Sequence, residues 1–191
     1  AREFAAFLGR EDVQRPAEGE KLLKDLLTSE EDISKKAMIA VYLGQFYETQ
    51  KQLATADRPF RLAVSLDPST DVLILAAEYY SRTNRLRDAQ EYYERALTAM
   101  DGDSAGAVAT RSRIIGLLLA RGDLAGAKTQ IDDYIRRYPD DAQGRVFEGA
   151  YHRMGGDIKK SKEAFDAFLE KHPDDALALW QRGQLYKLMG R

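Results

Sequence analysis

The stretch LGQFYETQKQLATADRPFRLAVSLDP, residues 43–68, sets a small residue, two aromatics and a closing proline at spacings that return along the chain. Gly44, Ala77, Ile115, Gly149 and Gly183 recur at intervals of 33, 38, 34 and 34. Ala56, Ala89, Ala127 and Ser161 keep the same 33, 38 and 34, as do Phe60, Tyr93, Ile131 and Phe165. Ala63, Ala96, Tyr134 and Phe168 form a fourth column on those intervals. Shared irregular spacing in four columns identifies an internal repeat, and the 38 places an insertion of about four residues in Met100–Ser104.

The punctuation between the columns is that of helix pairs. Pro68, Pro139 and Pro173 cannot continue a helix and close one each. Asp140-Asp141 and Asp174-Asp175 follow directly and can accept hydrogen bonds from the free N–H groups that open the next helix. Inside each unit, Gly122-Asp123 and Gly156-Asp157 supply a left-handed turn residue followed by a cap, with Asn84 at the equivalent turn position. Apolar residues run at three-four spacing, as in Ala89, Tyr92, Tyr93, Ala96 and Leu97, and nowhere alternate at period two. The chain therefore reads as all-α. The expected helices span roughly 2–10, 16–28, 33–50, 54–66, 70–83, 86–99, 105–120, 124–137, 142–154, 158–171 and 175–189.

These columns resemble the tetratricopeptide repeat, a helix–turn–helix unit of about 34 residues. Residues 37–69 match it best through Leu43-Gly44, Tyr47, Ala56, Phe60, Ala63 and Pro68. Residues 70–107 keep Ala77, Tyr80, Ala89, Tyr93 and Ala96, and the last half-unit keeps Gly183, Tyr186 and Gly190. The resemblance implies a right-handed α-α superhelix over 1–191, a single array. It would comprise a degenerate pair in 1–36, repeats at 37–69, 70–107, 108–141 and 142–175, and a terminal helix in 176–191. Ile115, Tyr134 and Phe168 depart from the small residues usual at their positions, and Arg111 and Arg145 stand where a large apolar group is usual. Packing is expected to differ at these sites.

Composition narrows the function. With 29 Lys+Arg against 31 Asp+Glu the net charge is −2, which argues against a generally basic nucleic-acid binder or a polybasic membrane anchor. Without cysteine there is no thiolate nucleophile, thiolate metal site or disulfide. No apolar run approaches a membrane span, and the longest, Ile114 to Ala120, is flanked by Arg113 and Arg121. The opening residues Ala1-Arg2-Glu3-Phe4 show neither an initiator Met nor a signal-peptide layout, as expected of a processed chain or one excised from a longer protein. His152 and His172 lack metal-pair spacing and read as surface histidines. Gly155-Gly156-Asp157 lacks the Gly-Lys-Ser/Thr of a phosphate loop, and Asp101-Gly102-Asp103 lacks the remaining ligands of a calcium loop. No cofactor, metal or catalytic constellation is expected.

The resemblance implies binding of a protein partner, as a peptide or a helix, in a groove lined by the first helix of each unit. In that family, positions 2, 5, 9 and 12 of the first helix face the groove. Carried over, they include Gln45, Glu48, Asp71, Glu78, Ser112, Arg153, Trp180, Gln184 and Lys187, together with Val41, Leu119 and Val146. The Lys and Asn pattern of the chaperone-tail binders is absent, since position 5 holds Val41, Ile74, Ser112, Val146 and Trp180. Trp180 has two readings, a groove contact or a ring packed on the preceding unit. Charge is uneven: 1–107 carries net −5 and 108–191 net +3, so a groove acidic at one end and basic at the other would orient its ligand. The alternative function is structural self-assembly through open solenoid ends, where Leu177, Leu179, Leu185 and Leu188 of the last helix lack a following partner.

Overall fold

The computed structural model describes residues 16–190, and within them every regular element is an α-helix. Ten helices follow one another: α1 (Pro16–Ser29), α2 (Ile33–Thr49), α3 (Leu53–Leu66), α4 (Thr70–Arg82) and α5 (Leu86–Thr98), then α6 (Ala105–Ala120), α7 (Leu124–Arg137), α8 (Ala142–Met154), α9 (Ile158–Lys171) and α10 (Ala176–Leu188). Their ends fall within two residues of the sequence expectation, and the helix expected over 2–10 lies outside the described residues. The chain divides into two compact units, 1–101 and 102–191, and the boundary falls in the inserted stretch. α2 packs on α3 and α4 on α5 in the first unit; α6 packs on α7 and α8 on α9 in the second. Within the second unit α10 lies against both α8 and α9.

Local chemistry sets the helix boundaries. Asp32, Asp123, Asp157 and Asp175 each cap a helix, accepting from Lys35 N at 2.9 Å, Gly126 N at 3.0 Å, Lys160 N at 3.0 Å and Ala178 N at 2.8 Å. Asp141 does so for α8, accepting from Gln143 N at 2.9 Å. Each such cap contributes about 1 kcal/mol. The turns inside the hairpins need a left-handed residue, supplied by Gly122 (φ 72°), Gly156 (φ 80°) and Asn84 (φ 61°). In the α2–α3 turn the same conformation is held by Lys51 (φ 58°), a residue with no intrinsic preference for it. Pro59 sits inside α3 rather than beyond its end, with its ring buried.

Size complementarity holds the hairpins together. A Cβ on Gly44 would lie 2.7 Å from the Phe60 ring, and one on Gly149 would lie 2.2 Å from that of Phe165. The glycines thus let the edge or tip of each ring come close to the facing helix backbone. Where the column carries Ile115 instead, its facing column carries Ile131 rather than a ring, and both are fully buried. A second exchange accounts for the unusual Tyr134 and Phe168. A Cβ on Gly144 would lie 3.2 Å from Tyr134 Cδ1, and Phe168 shares a cluster with the fully buried Ala178. A large residue late in one hairpin is therefore matched by a small one early in the next helix.

Candidate functional site

The first helices of the two units differ in how much of their polar surface remains available. In the first unit α2 presents Gln45 and Glu48, and α4 presents Asp71 and Glu78. Arg82 spans the two helices. Its Nε and Nη2 donate to Glu48 Oε1 and Oε2 at 3.0 and 2.8 Å, and Nη1 lies 3.9 Å from Glu78 Oε2. Arg82 thus pairs Glu48 and stands near Glu78, one cation among the three carboxylates expected at this end. Asp71 is exposed in the first turn of α4, where a carboxylate also favours the helix dipole. Gln45 is half-buried. Val41 is fully buried, which corrects its placement among groove-facing side chains.

The second unit corrects two further placements. Val146 belongs to a core cluster with Phe165 and Leu185, and Leu119 is buried. Ser112 is engaged: its hydroxyl donates to Val108 O at 3.1 Å and lies 3.4 Å from Tyr134 Oη, which donates to Asp141 at 2.5 Å. Burial, reinforced by that Asp141 bond, pushes the Tyr134 hydroxyl up to about 12.

Four expected site residues come together. Arg153 from α8 and Trp180, Gln184 and Lys187 from α10 line one cleft of about 460 Å³, with Gln181 and Leu188 beside them. Trp180 is 57% exposed, so the reading in which it packs as core is overturned. α10 turns Ala178 and Leu185 inward and leaves the Trp180 side of the helix open. Of the basic residues in the second unit, Arg111 faces Asp133 at 3.8 Å, Arg121 faces Asp123 at 3.2 Å, Arg145 faces Glu148 at 2.8 Å and Arg182 faces Asp166 at 3.2 Å. Arg153 and Lys187 make no ion pair among the described residues. Beside the open indole, therefore, two cations stand without a carboxylate partner among the described residues.

The residues weighed for chemistry take structural places. His172 stacks on Phe168 with ring centroids 4.4 Å apart, and His152 meets Tyr151 edge-on at 5.2 Å. Asp103 of the inserted stretch accepts from Tyr138 Oη at 3.0 Å. Among the described residues no group of three or more His, Asp or Glu is placed to hold a metal ion. No described helix is long and apolar enough to cross a membrane.

Comparison with known proteins gives the architecture its relatives. Family models described as tetratricopeptide repeat match residues 70–99 and 149–175. A tetratricopeptide repeat protein from Parabacteroides merdae superposes with a TM-score of 0.72 at 18% identity, over 98% of this chain and 72% of that one. YrrB, a tetratricopeptide-repeat protein with an unusual peptide-binding site, gives 0.64 at 19% identity, over 95% and 89%. PilW, a type IV pilus biogenesis factor, gives 0.63 at 16% identity, over 99% and 84%. No curated protein matches the sequence. The tetratricopeptide-repeat fold generally mediates protein–protein interaction and is generally non-enzymatic, its members binding protein partners. The repeated columns, the all-α solenoid fold and both family matches agree: the chain carries tetratricopeptide repeats, matched at residues 70–99 and 149–175.

Proposed function

We propose that the chain is a non-catalytic interaction scaffold that binds a peptide or helical segment of a protein partner on the groove positions of its first helices. The observation that carries this reading is the cleft between α8 and α10, where Arg153, Trp180, Gln184 and Lys187 converge. Trp and Arg are residue types enriched at interface hot spots, and here an exposed Trp adjoins an Arg with no ion pair among the described residues. Of the other groove positions, Glu48, Glu78 and Ser112 are held by contacts within their own units. Selection of a displayed random-peptide library against the full chain tests the reading. Selected peptides should protect α8 and α10 amides from hydrogen exchange and lose affinity on Trp180→Ala. Recovery of no binders, or a footprint confined to the second helices α7 and α9, would refute it.

A second reading, self-association through the terminal helix, draws on a separate observation. Leu179 and Leu188 are exposed on α10, and a Cβ on Gly183 would meet nothing within 4 Å where Gly44 and Gly149 meet rings. Sedimentation of the full chain decides it. Association abolished by Leu179→Asp supports this reading, and a strict monomer at high concentration refutes it.

A further inference from the structure

We propose that the α8–α10 cleft selects an acidic peptide segment, one in which Asp or Glu directly neighbours an aromatic or large aliphatic side chain. This specifies the ligand of the site proposed above and rests on that reading. Three features of the cleft support it.

The first is uncompensated positive charge. Arg153 and Lys187 sit in the last turns of α8 and α10. The helix dipole accounts for cations at those positions. It does not account for their lack of a counter-charge. Among the other last-turn cations, Arg82 on α4 and Arg136 and Arg137 on α7 are bonded to carboxylates of their own unit, Arg95 on α5 lies over the Tyr92 ring, and Lys171 on α9 forms no ion pair among the described residues. The described lining of the cleft contains two cations and no carboxylate. Two other clefts in the same unit mix the signs, one holding Asp140, Glu148 and Glu170 with Arg145 and Lys171, the other Asp166 and Glu170 with Arg182.

The second is an apolar surface adjoining that charge. Trp180 is 57% and Leu188 64% exposed, so the cleft presents an indole face and an isobutyl group next to the cations. A hydrated inorganic anion would leave this surface wet, whereas a neighbouring ring or aliphatic chain would cover it. The third is Gln184, also in the lining, whose amide offers both a donor and an acceptor to a peptide backbone. Charge, ring and amide together favour a peptide over a nucleic acid, and the chain as a whole carries net charge −2.

The test uses the full chain and a fluorescein-labelled peptide, Gly-Ser-Glu-Phe-Glu-Ser-Gly. Counterparts carry Gln for both Glu, Lys for both Glu, or Ala for Phe. Anisotropy reports affinity, and the emission of Trp180, the single tryptophan, reports occupancy of the cleft. The acidic peptide should shift that emission to the blue and bind roughly fivefold or more tightly than the Gln peptide. Lys and Ala counterparts should bind more weakly still, and salt should weaken the acidic peptide selectively. Arg153→Gln and Lys187→Gln should each lower its affinity roughly two- to fivefold, with Arg87→Gln on α5 as an indifferent control and unchanged far-UV circular dichroism. Equal binding of acidic and Gln peptides, acidic-peptide binding that leaves Trp180 emission unmoved, or equally effective competition by inorganic phosphate or oligothymidylate would overturn the proposal. If library-selected peptides of other composition still bind the groove, the interaction role stands and only this specificity falls. If no peptide binds, both fall.

Discussion

Replacing Gly149 by Ala tests the packing that holds the second unit together. The new Cβ would lie 2.2, 2.5 and 2.9 Å from Phe165 Cζ, Cε2 and Cε1. Carbon atoms rest at about 3.5–4.0 Å, so the ring tip must retreat by more than about 1 Å. Little space receives it, because Phe165 is buried among Val146, Leu185, Ile158 and Met189. Overpacking of this kind costs about 1–3 kcal/mol. Ala recovers up to about 1 kcal/mol over Gly as a helix former, which leaves a net loss of up to about 2 kcal/mol. Gly183→Ala, one repeat later, is the matched control: its Cβ meets nothing within 4 Å. It keeps the helix-propensity gain of about 0.5–1 kcal/mol with no steric cost. Urea denaturation followed by far-UV circular dichroism should therefore separate the two variants by the overpacking cost alone, about 1–3 kcal/mol, with Gly149→Ala the less stable. Phe165→Leu shortens the ring, so in the double variant Gly149→Ala should cost less than it does alone, a coupling of about 0.5–3 kcal/mol. Equal stability of Gly149→Ala and Gly183→Ala would refute the reasoning.

Two further outcomes follow from local conformation and titration. Lys51→Gly should raise stability by about 0.5–1 kcal/mol in a thermal melt, because Lys51 holds φ 58° at a cost that glycine does not bear. Gly122→Ala, at φ 72°, should lower it by a similar amount. Tyr134→Phe removes the bond to Asp141 and should cost about 1 kcal/mol at neutral pH. Its pH profile has a definite sign. Burial and Asp141 raise the folded pKa of Tyr134 to about 12, against roughly 10 in the unfolded chain. The folded state therefore holds this proton more tightly. Its contribution is complete below about pH 10 and is lost as pH rises towards 12. Tyr134→Phe should show a flatter decline in stability across that interval, and a parallel decline would exclude the assigned contact.

Much of the fold was legible because its determinants are local. Asp123 and Asp157 cap helices within three residues of themselves, and Gly122 and Gly156 take the left-handed conformation that only a few residues tolerate. Lys51 was missed at the same turn because lysine carries no conformational signal for it. Pro59 breaks the rule that read prolines as helix ends. The exchange of size between Tyr134 and Gly144, and between Phe168 and Ala178, was visible in principle, since each small residue follows its large one by ten positions. Comparing columns across adjacent units, rather than down each column, would have found it.

The candidate site was less legible because it depends on what faces each side chain across a repeat. Glu48 and Arg82 stand 34 residues apart, and the bond between them ties up one carboxylate of the acidic end that the charge count suggested. Val41 and Val146 occupy groove positions by family register yet turn into the core. Trp180, at the same register position as both valines, stays exposed. Which cations stay unpaired, and which large apolar residue stays open, are properties of the packed second unit and not of any window of sequence.

The most direct measurement is the indole N–H resonance of Trp180, the single tryptophan, followed by NMR while the chain is titrated with a library-selected peptide. This resonance and the α8 and α10 amides around Arg153 and Lys187 should shift together, saturate together, and lose the response on Arg153→Glu. A peptide that saturates the chain while the indole resonance stays fixed, with shifts confined to α7 and α9, would contradict it.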